Sequence, residues 1–170
     1  AIDIGGNDLF LAKKVINKVK RISVIDPICE GLDGQIVDGV NVYGKMVENV
    51  DIGSEIGSVD LVFCRHTLEH IARPIDLLEQ LFKQCSDDCI YFFEVPCLQN
   101  MLEALRFDAV FHQHLSYFDI HSFKFMLNAA GGEYIYHEEY HQGPVGGSLL
   151  VAFRKARSLN RCPLAVDVSQ

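Results

Sequence analysis

The stretch Ala1-Ile2-Asp3-Ile4-Gly5-Gly6-Asn7-Asp8-Leu9-Phe10 decides how this chain is read. Its first four residues are apolar enough for a buried strand, Gly5 to Asp8 is turn chemistry, and Leu9 to Val19 carries apolar residues at helical spacing. Ile22 to Ile25 gives a second β-branched run, ended by Asp26-Pro27 because proline cannot continue a ladder. Strand, turn, helix and strand in that order make a βαβ unit.

Working outward, Val40 to Tyr43 predicts a short, weak strand and Val59 to Cys64 a fully buried one. Ile71 to Cys85 predicts a helix with Pro74 in its first turn and an apolar stripe of Ile75, Leu77, Leu78, Leu81 and Phe82. Ile90 to Val95 follows as a strand stopped by Pro96. Helices are then expected over Leu98 to Phe107 and Ile120 to Ala130, and strands over Tyr134 to Tyr140 and Ser148 to Arg154. The Gly-rich segment Gln142 to Gly147 between those last strands predicts a hairpin. The alternation implies an α/β, Rossmann-like fold, with a seven-stranded, mostly parallel sheet, helices on both faces and an antiparallel hairpin at one edge.

The bulk numbers exclude several classes. The chain has 170 residues, 49% of them apolar and 22% charged, which suits one well-buried domain over residues 1–155 with a tail at 156–170. Ala1 begins directly in an apolar strand, so a truncated N-terminus is expected. The net charge of −8, without a basic run, disfavours nucleic-acid binding. No apolar stretch approaches the roughly 20 residues that span a bilayer, and none resembles a signal peptide. Cys29, Cys64, Cys85, Cys89, Cys97 and Cys162 form no C-x-x-C pair; they are expected to be reduced, in a cytoplasmic protein.

The Gly-rich turn lets backbone approach a ligand closely, and the helix start behind it offers unpaired N–H groups. Asp26 ends the second strand 23 positions after Asp3, where an acidic residue accepts hydrogen bonds from ribose hydroxyls. A nucleoside-containing ligand is the natural reading, with a tight turn and a simple cap as the bland alternative. The dinucleotide fingerprint G-x-G-x-x-G is not met by Gly5 to Phe10, which makes NAD the weaker choice.

His66-Thr67-Leu68-Glu69-His70 has the zinc-peptidase form H-x-x-E-H, in which two histidines on one helical face hold a metal and the glutamate polarises water. Its context argues otherwise: it sits in the turn after a buried strand, at the end of a parallel sheet where such folds bind their ligands. No metal is expected, and a histidine packed at a strand–helix corner is the plainer account of His70.

Asp3-Ile4-Gly5 with Asn7-Asp8, Arg65 to His70 with its Leu-Glu-His, and Glu94-Val95-Pro96 are ordered as in class I methyltransferases dependent on S-adenosylmethionine. Phe111-His112-Gln113-His114-Leu115-Ser116-Tyr117-Phe118 resembles the Tyr-His-Glu-His-Leu-Ser-Tyr-Phe motif of bacterial sugar C-methyltransferases, and Gly146-Gly147-Ser148-Leu149 resembles their later Gly-Gly-Ser-Leu. The resemblance covers about residues 1–155. It implies methyl transfer from S-adenosylmethionine to a carbon beside the ketone of a nucleotide-linked sugar.

That reaction needs a base near neutral pKa and a donor for the enolate oxygen. The resemblance makes His114 the base, with His112 and Gln113 beside it. It assigns the cofactor to Asp3, Gly5, Gly6, Asn7, Asp26, Cys64, Arg65 and His66, over the carboxyl ends of the first, second and fourth expected strands. Without it, His112 and His114 read as solvated loop residues.

The chain departs from the motif at Phe111, Gln113, Leu9 and Val145. Phe111 lacks a hydroxyl to donate, and Gln113 orients an imidazole less strongly than a carboxylate does. The zinc-binding N-terminal segment and further C-terminal region usual in the family are not visible. A non-catalytic module of the same fold and an O- or N-methyltransferase of another small molecule therefore stand as alternatives. His121, His137, His141, Glu138, Glu139 and Tyr140 either line the acceptor site or alternate into water along a strand.

Overall fold

Proline and glycine set most of the element boundaries. In the computed structural model, which describes residues 1–141 and 146–157, the strands are β1 (Ile2–Ile4), β2 (Ser23–Ile25), β3 (Ile36–Val37), β4 (Val40–Tyr43), β5 (Leu61–Arg65), β6 (Ile90–Pro96), β7 (Gly132–Tyr140) and β8 (Ser148–Lys155). The α-helices are α1 (Phe10–Val15), α2 (Pro74–Gln84), α3 (Leu98–Glu103) and α4 (Ile120–Ala129). Val145, Cys162 and most of the expected tail lie outside the described residues.

One sheet runs β3-β4-β2-β1-β5-β6-β8-β7. Strands β4, β2, β1, β5 and β6 are parallel, and β8 and β7 close one edge antiparallel. Among the described residues the strand count is eight, not seven. The extra strand β3 pairs antiparallel with β4 through Asp38-Gly39, both at positive φ (50° and 83°), a two-residue hairpin turn that Asp-Gly favours. Two residues, with Ile36 exposed, are too few to show an alternating pattern.

Helices are shorter than their apolar periodicity suggests. Pro74 sits at the first position of α2, and the residues before it stay non-helical because proline disfavours helix in its predecessor. Leu105 at φ 51° ends the α3 region before Phe107. A capping box holds the start of α4, where Asp119 accepts from the Ser122 N–H at 2.7 Å and the Ser122 hydroxyl receives the Asp119 N–H.

The sheet buries apolar groups on both sides. Leu77, Leu78 and Leu81 of α2 and Phe123 and Leu127 of α4 pack with Phe93, Val151 and Phe153 in the larger cluster. Leu9 and Ala12 pack with Val24, Val40 and Val42 in the smaller. Ile2 and Ile4 belong to the larger cluster, so strand alternation turns Asp3 to the opposite side. Among the described residues, no helix is long and apolar enough to cross a membrane.

Candidate functional site

Strand order reverses at β1, which has β2 on one side and β5 on the other; open α/β sheets bind ligands at that point, beyond the carboxyl ends of the strands. The turn leaving β1 is tightly built. Gly5 has φ 74°, its N–H donates to the Ile25 carbonyl at 2.9 Å, and a Cβ there would lie 1.9 Å from Thr67 Oγ1. Only glycine permits that contact with the loop after β5.

Asp26 ties the turn to the end of β2. Its Oδ2 accepts from the Asn7 N–H and its Oδ1 from the Ile28 N–H, both at 2.9 Å. The carboxylate thus caps the short helical turn that begins at Pro27 while holding the Gly-rich loop. The cap foreseen as the bland alternative is present, and each oxygen still has a lone pair for a ligand hydroxyl.

Six of the eight expected cofactor residues, Asp3, Gly5, Gly6, Asn7, Arg65 and His66, line one open cleft, together with Asp8, Phe10 and Leu11. Cys64 does not: its side chain is fully buried in the core, where burial pushes the thiol pKa up. Asp3 is 2% exposed, and its Oδ2 has no hydrogen-bond partner among the described residues. Burial pushes its carboxyl up to about 6, opposed by the nearby Arg65 guanidinium.

A second group of polar side chains adjoins the cleft. On β6, Glu94 is in register with Arg65 and receives its guanidinium, while His66 Nε2 lies 3.5 Å from the same carboxylate. His66 Nδ1 lies 3.7 Å from Glu69 Oε1, and His70 Nε2 is 4.0 Å from that oxygen. The Glu69 and Glu94 carboxylates push His66 up to about 9, and His66 and Arg65 hold Glu94 at about 2.

His114 reaches this group from far along the chain. The Leu115 and Ser116 N–H groups donate to the Glu69 carbonyl at 2.8 and 3.2 Å, and His70 Nδ1 lies 2.8 Å from the Gln113 carbonyl. The His114 ring lies tilted against Phe111, at 4.0 Å between centroids, and meets His70 edge-on at 4.9 Å. It is 9% exposed, Nδ1 has no hydrogen-bond partner among the described residues, and burial lowers its pKa below the usual imidazole value. The side chains of His112 and Gln113 are exposed.

The H-x-x-E-H segment does not form a helical metal face. His66 takes φ 48°, only Leu68–His70 is a helical turn, and the two histidines turn to different partners, Glu94 and Gln113. Sequence reasoning missed Glu69 and Glu94 as neighbours of the site. The signal for Glu94 was available, since acid and base end adjacent parallel strands; for Glu69, nothing local announces which imidazole a later loop will bring to it.

The sequence profile described as "Methyltransferase domain" matches residues 2–137. The C-methyltransferase NovU of Streptomyces niveus is 30% identical over 107 residues, covering 61% of this chain and 25% of NovU, so the chain spans about a quarter of that curated relative. The plantazolicin methyltransferase BpumL, solved with a monoazolic desmethylPZN analog and SAH, superposes with TM-score 0.67 at 14% identity, over 92% of this chain and 75% of BpumL. The N-methyltransferase NodS from Bradyrhizobium japonicum WM9 gives TM-score 0.62 at 13% identity, over 91% and 84%. At such identities the two structures speak for the fold alone.

Proposed function

The chain belongs to the methyltransferase domain family, whose cofactor is S-adenosylmethionine, and on that premise we propose that it methylates a carbon beside the ketone of a small acceptor, a nucleotide-linked keto-sugar, with His114 as general base. One observation carries the proposal: a nine-tenths buried imidazole, its Nδ1 without a hydrogen-bond partner among the described residues, adjoins the Gly-rich cleft through Glu69 and His66. The likeness to a protein named as a C-methyltransferase supports carbon as the acceptor atom.

The residues of the cleft suit the cofactor. A buried carboxylate oxygen without a partner among the described residues, as at Asp3, is satisfied by a ligand carrying positive charge. Gly5, Gly6 and Asn7 border the methionyl part, Asp26 accepts from ribose hydroxyls, and Arg65 and His66 bound the far wall, with Cys64 contributing through its backbone. S-adenosylmethionine held there would supply an electrophilic methyl group on a cationic sulfur, with the broken C–S bond's electrons kept by the sulfur as a neutral thioether. His114 receives the proton of the carbon next to the ketone, and the electron pair left on that carbon forms the new C–C bond. His112 and Gln113 belong to the exposed acceptor rim.

Phe111 favours a second reading. It offers His114 an apolar ring and offers an enolate no hydroxyl, which suits O- or N-methylation of another small molecule, or binding without transfer. Calorimetric titration with S-adenosylmethionine and S-adenosylhomocysteine is the first test, using the wild type and Asp26→Ala. Micromolar binding that the variant loses is the expected result; a folded wild type that binds neither compound sinks the enzyme reading. Methyl transfer to keto-sugar nucleotides, with the methyl position read by NMR, then separates carbon from oxygen or nitrogen acceptors.

A further inference from the structure

We propose that Glu69, His70 and His114 form a binding site for one divalent transition-metal ion of zinc-like softness, beside the cofactor cleft. The inference goes beyond methyl transfer and does not depend on it.

Each residue offers one ligand atom, and the three atoms lie within 4.8 Å of one another. Nitrogen and oxygen ligands sit about 2.0–2.2 Å from zinc, and hence roughly 3.3 Å apart around it, so modest side-chain rotation closes the set. His70, with 40% of its side chain exposed, has room for that rotation, while Glu69 at 1% and His114 at 9% hold the frame.

The tautomer of His70 suits a metal ligand. The Gln113 carbonyl can only accept, so at 2.8 Å it fixes the proton on His70 Nδ1. His70 Nε2 is then the ring nitrogen left to face Glu69 Oε1, 4.0 Å away. An imidazole whose Nδ1–H donates to a backbone carbonyl, leaving Nε2 free, is the usual outer arrangement of a metal-bound histidine.

Two further atoms point the same way. Glu69 Oε2 and His114 Nδ1 are buried and have no hydrogen-bond partner among the described residues. A buried carboxylate oxygen and a buried ring nitrogen left unpaired are both costly, and one ion bound by both removes the two penalties together. The backbone is already committed to this geometry, because the Leu115 and Ser116 N–H groups clamp the His114 loop to the Glu69 carbonyl.

Two imidazoles and one carboxylate select zinc, cobalt, nickel or copper over magnesium and calcium, which prefer all-oxygen sets. Three protein ligands leave a fourth position open for water or an acceptor oxygen. His66 is not part of the set: its Nε2 faces Glu94 at 3.5 Å and its Nδ1 faces Glu69 Oε1 at 3.7 Å, and the three clustered ligand atoms come from Glu69, His70 and His114. The ion occupies the His114 lone pair, so a loaded site withholds that imidazole from any base chemistry.

The test is titration of the metal-free chain with Co²⁺, followed by visible absorption, then displacement by Zn²⁺. One saturable equivalent is expected, roughly 100-fold or more weaker in Glu69→Gln and in His70→Asn and unchanged in the exposed-site control His121→Asn. Because Glu69→Gln alters a buried group, circular dichroism and the half-exposed His70→Asn keep the result interpretable. Absence of saturable uptake, or equal uptake by wild type and His70→Asn, overturns the proposal. The readout uses neither cofactor nor acceptor: loss of S-adenosylmethionine binding would sink the methyltransferase reading and leave this one standing, and the reverse holds.

Discussion

Replacing Asp3 by asparagine tests the cleft through its least comfortable residue. The Asp3 carboxyl is 2% exposed, and burial raises its pKa from 3.8 to about 6. A carboxyl with a raised folded-state pKa holds its proton in the native state between those values while the unfolded chain has already lost it. This group's contribution to stability is therefore full below pH 3.8, falls as pH rises toward 6, and stays at its minimum above that. Two units at about 1.36 kcal/mol each put the penalty near 3 kcal/mol at pH 8, as an upper bound. Asparagine has nearly the same shape and never ionises. Urea unfolding of wild type and Asp3→Asn at pH 4 and pH 8 is the assay. The variant is expected to match the wild type within about 1 kcal/mol at pH 4 and to exceed it by about 2–3 kcal/mol at pH 8, while binding S-adenosylmethionine more weakly. Equal differences at the two pH values would refute the burial argument, and unimpaired cofactor binding would remove Asp3 from the site.

Other outcomes follow from local geometry. Gly5→Ala forces a Cβ toward Thr67 Oγ1 at a left-handed φ, so it should destabilise the chain by at least about 2 kcal/mol and abolish cofactor binding, as read by denaturation and calorimetry. Asp119→Ala removes the α4 cap and should lower stability by about 1 kcal/mol, near 2–4 °C in Tm, with cofactor affinity intact. Gln113→Glu should change the methyl-transfer rate less than about threefold, because residue 113 holds His70 through its backbone carbonyl while its side chain is exposed. A large gain in rate would show that the side chain acts on the chemistry after all.

Much of the fold was legible because its signals are short-ranged. Strand runs, the glycine turn at Gly5 and the prolines at 27 and 74 act within a few residues; Pro96, expected to stop the strand at Val95, instead ends it as its last paired residue, opposite Ser148. The misses have the same origin. A two-residue strand such as β3 shows no period, and α1 gives way to a tighter turn at Ile16 although the apolar spacing continues to Val19. In the site, the residues grouped on the β1 turn and the β5 end were legible, since a parallel sheet brings adjacent strand ends together. Cys64 was not, because one position along a strand reverses the face a side chain takes.

By itself, then, the sequence determined the alternating βαβ order, the edge hairpin, the nucleoside-type turn and the family likeness, all carried by local pattern and ordered motifs. Only the tertiary structure decided that Asp26 spends two contacts on its own backbone, that Asp3 is buried with its Oδ2 unpaired among the described residues, and that His70 and the Gln113 carbonyl, 43 residues apart, meet over Glu69. The reason is physical: periodicity and turn chemistry depend on neighbours in the chain, whereas burial and hydrogen-bond partnership depend on which distant loop closes over a group.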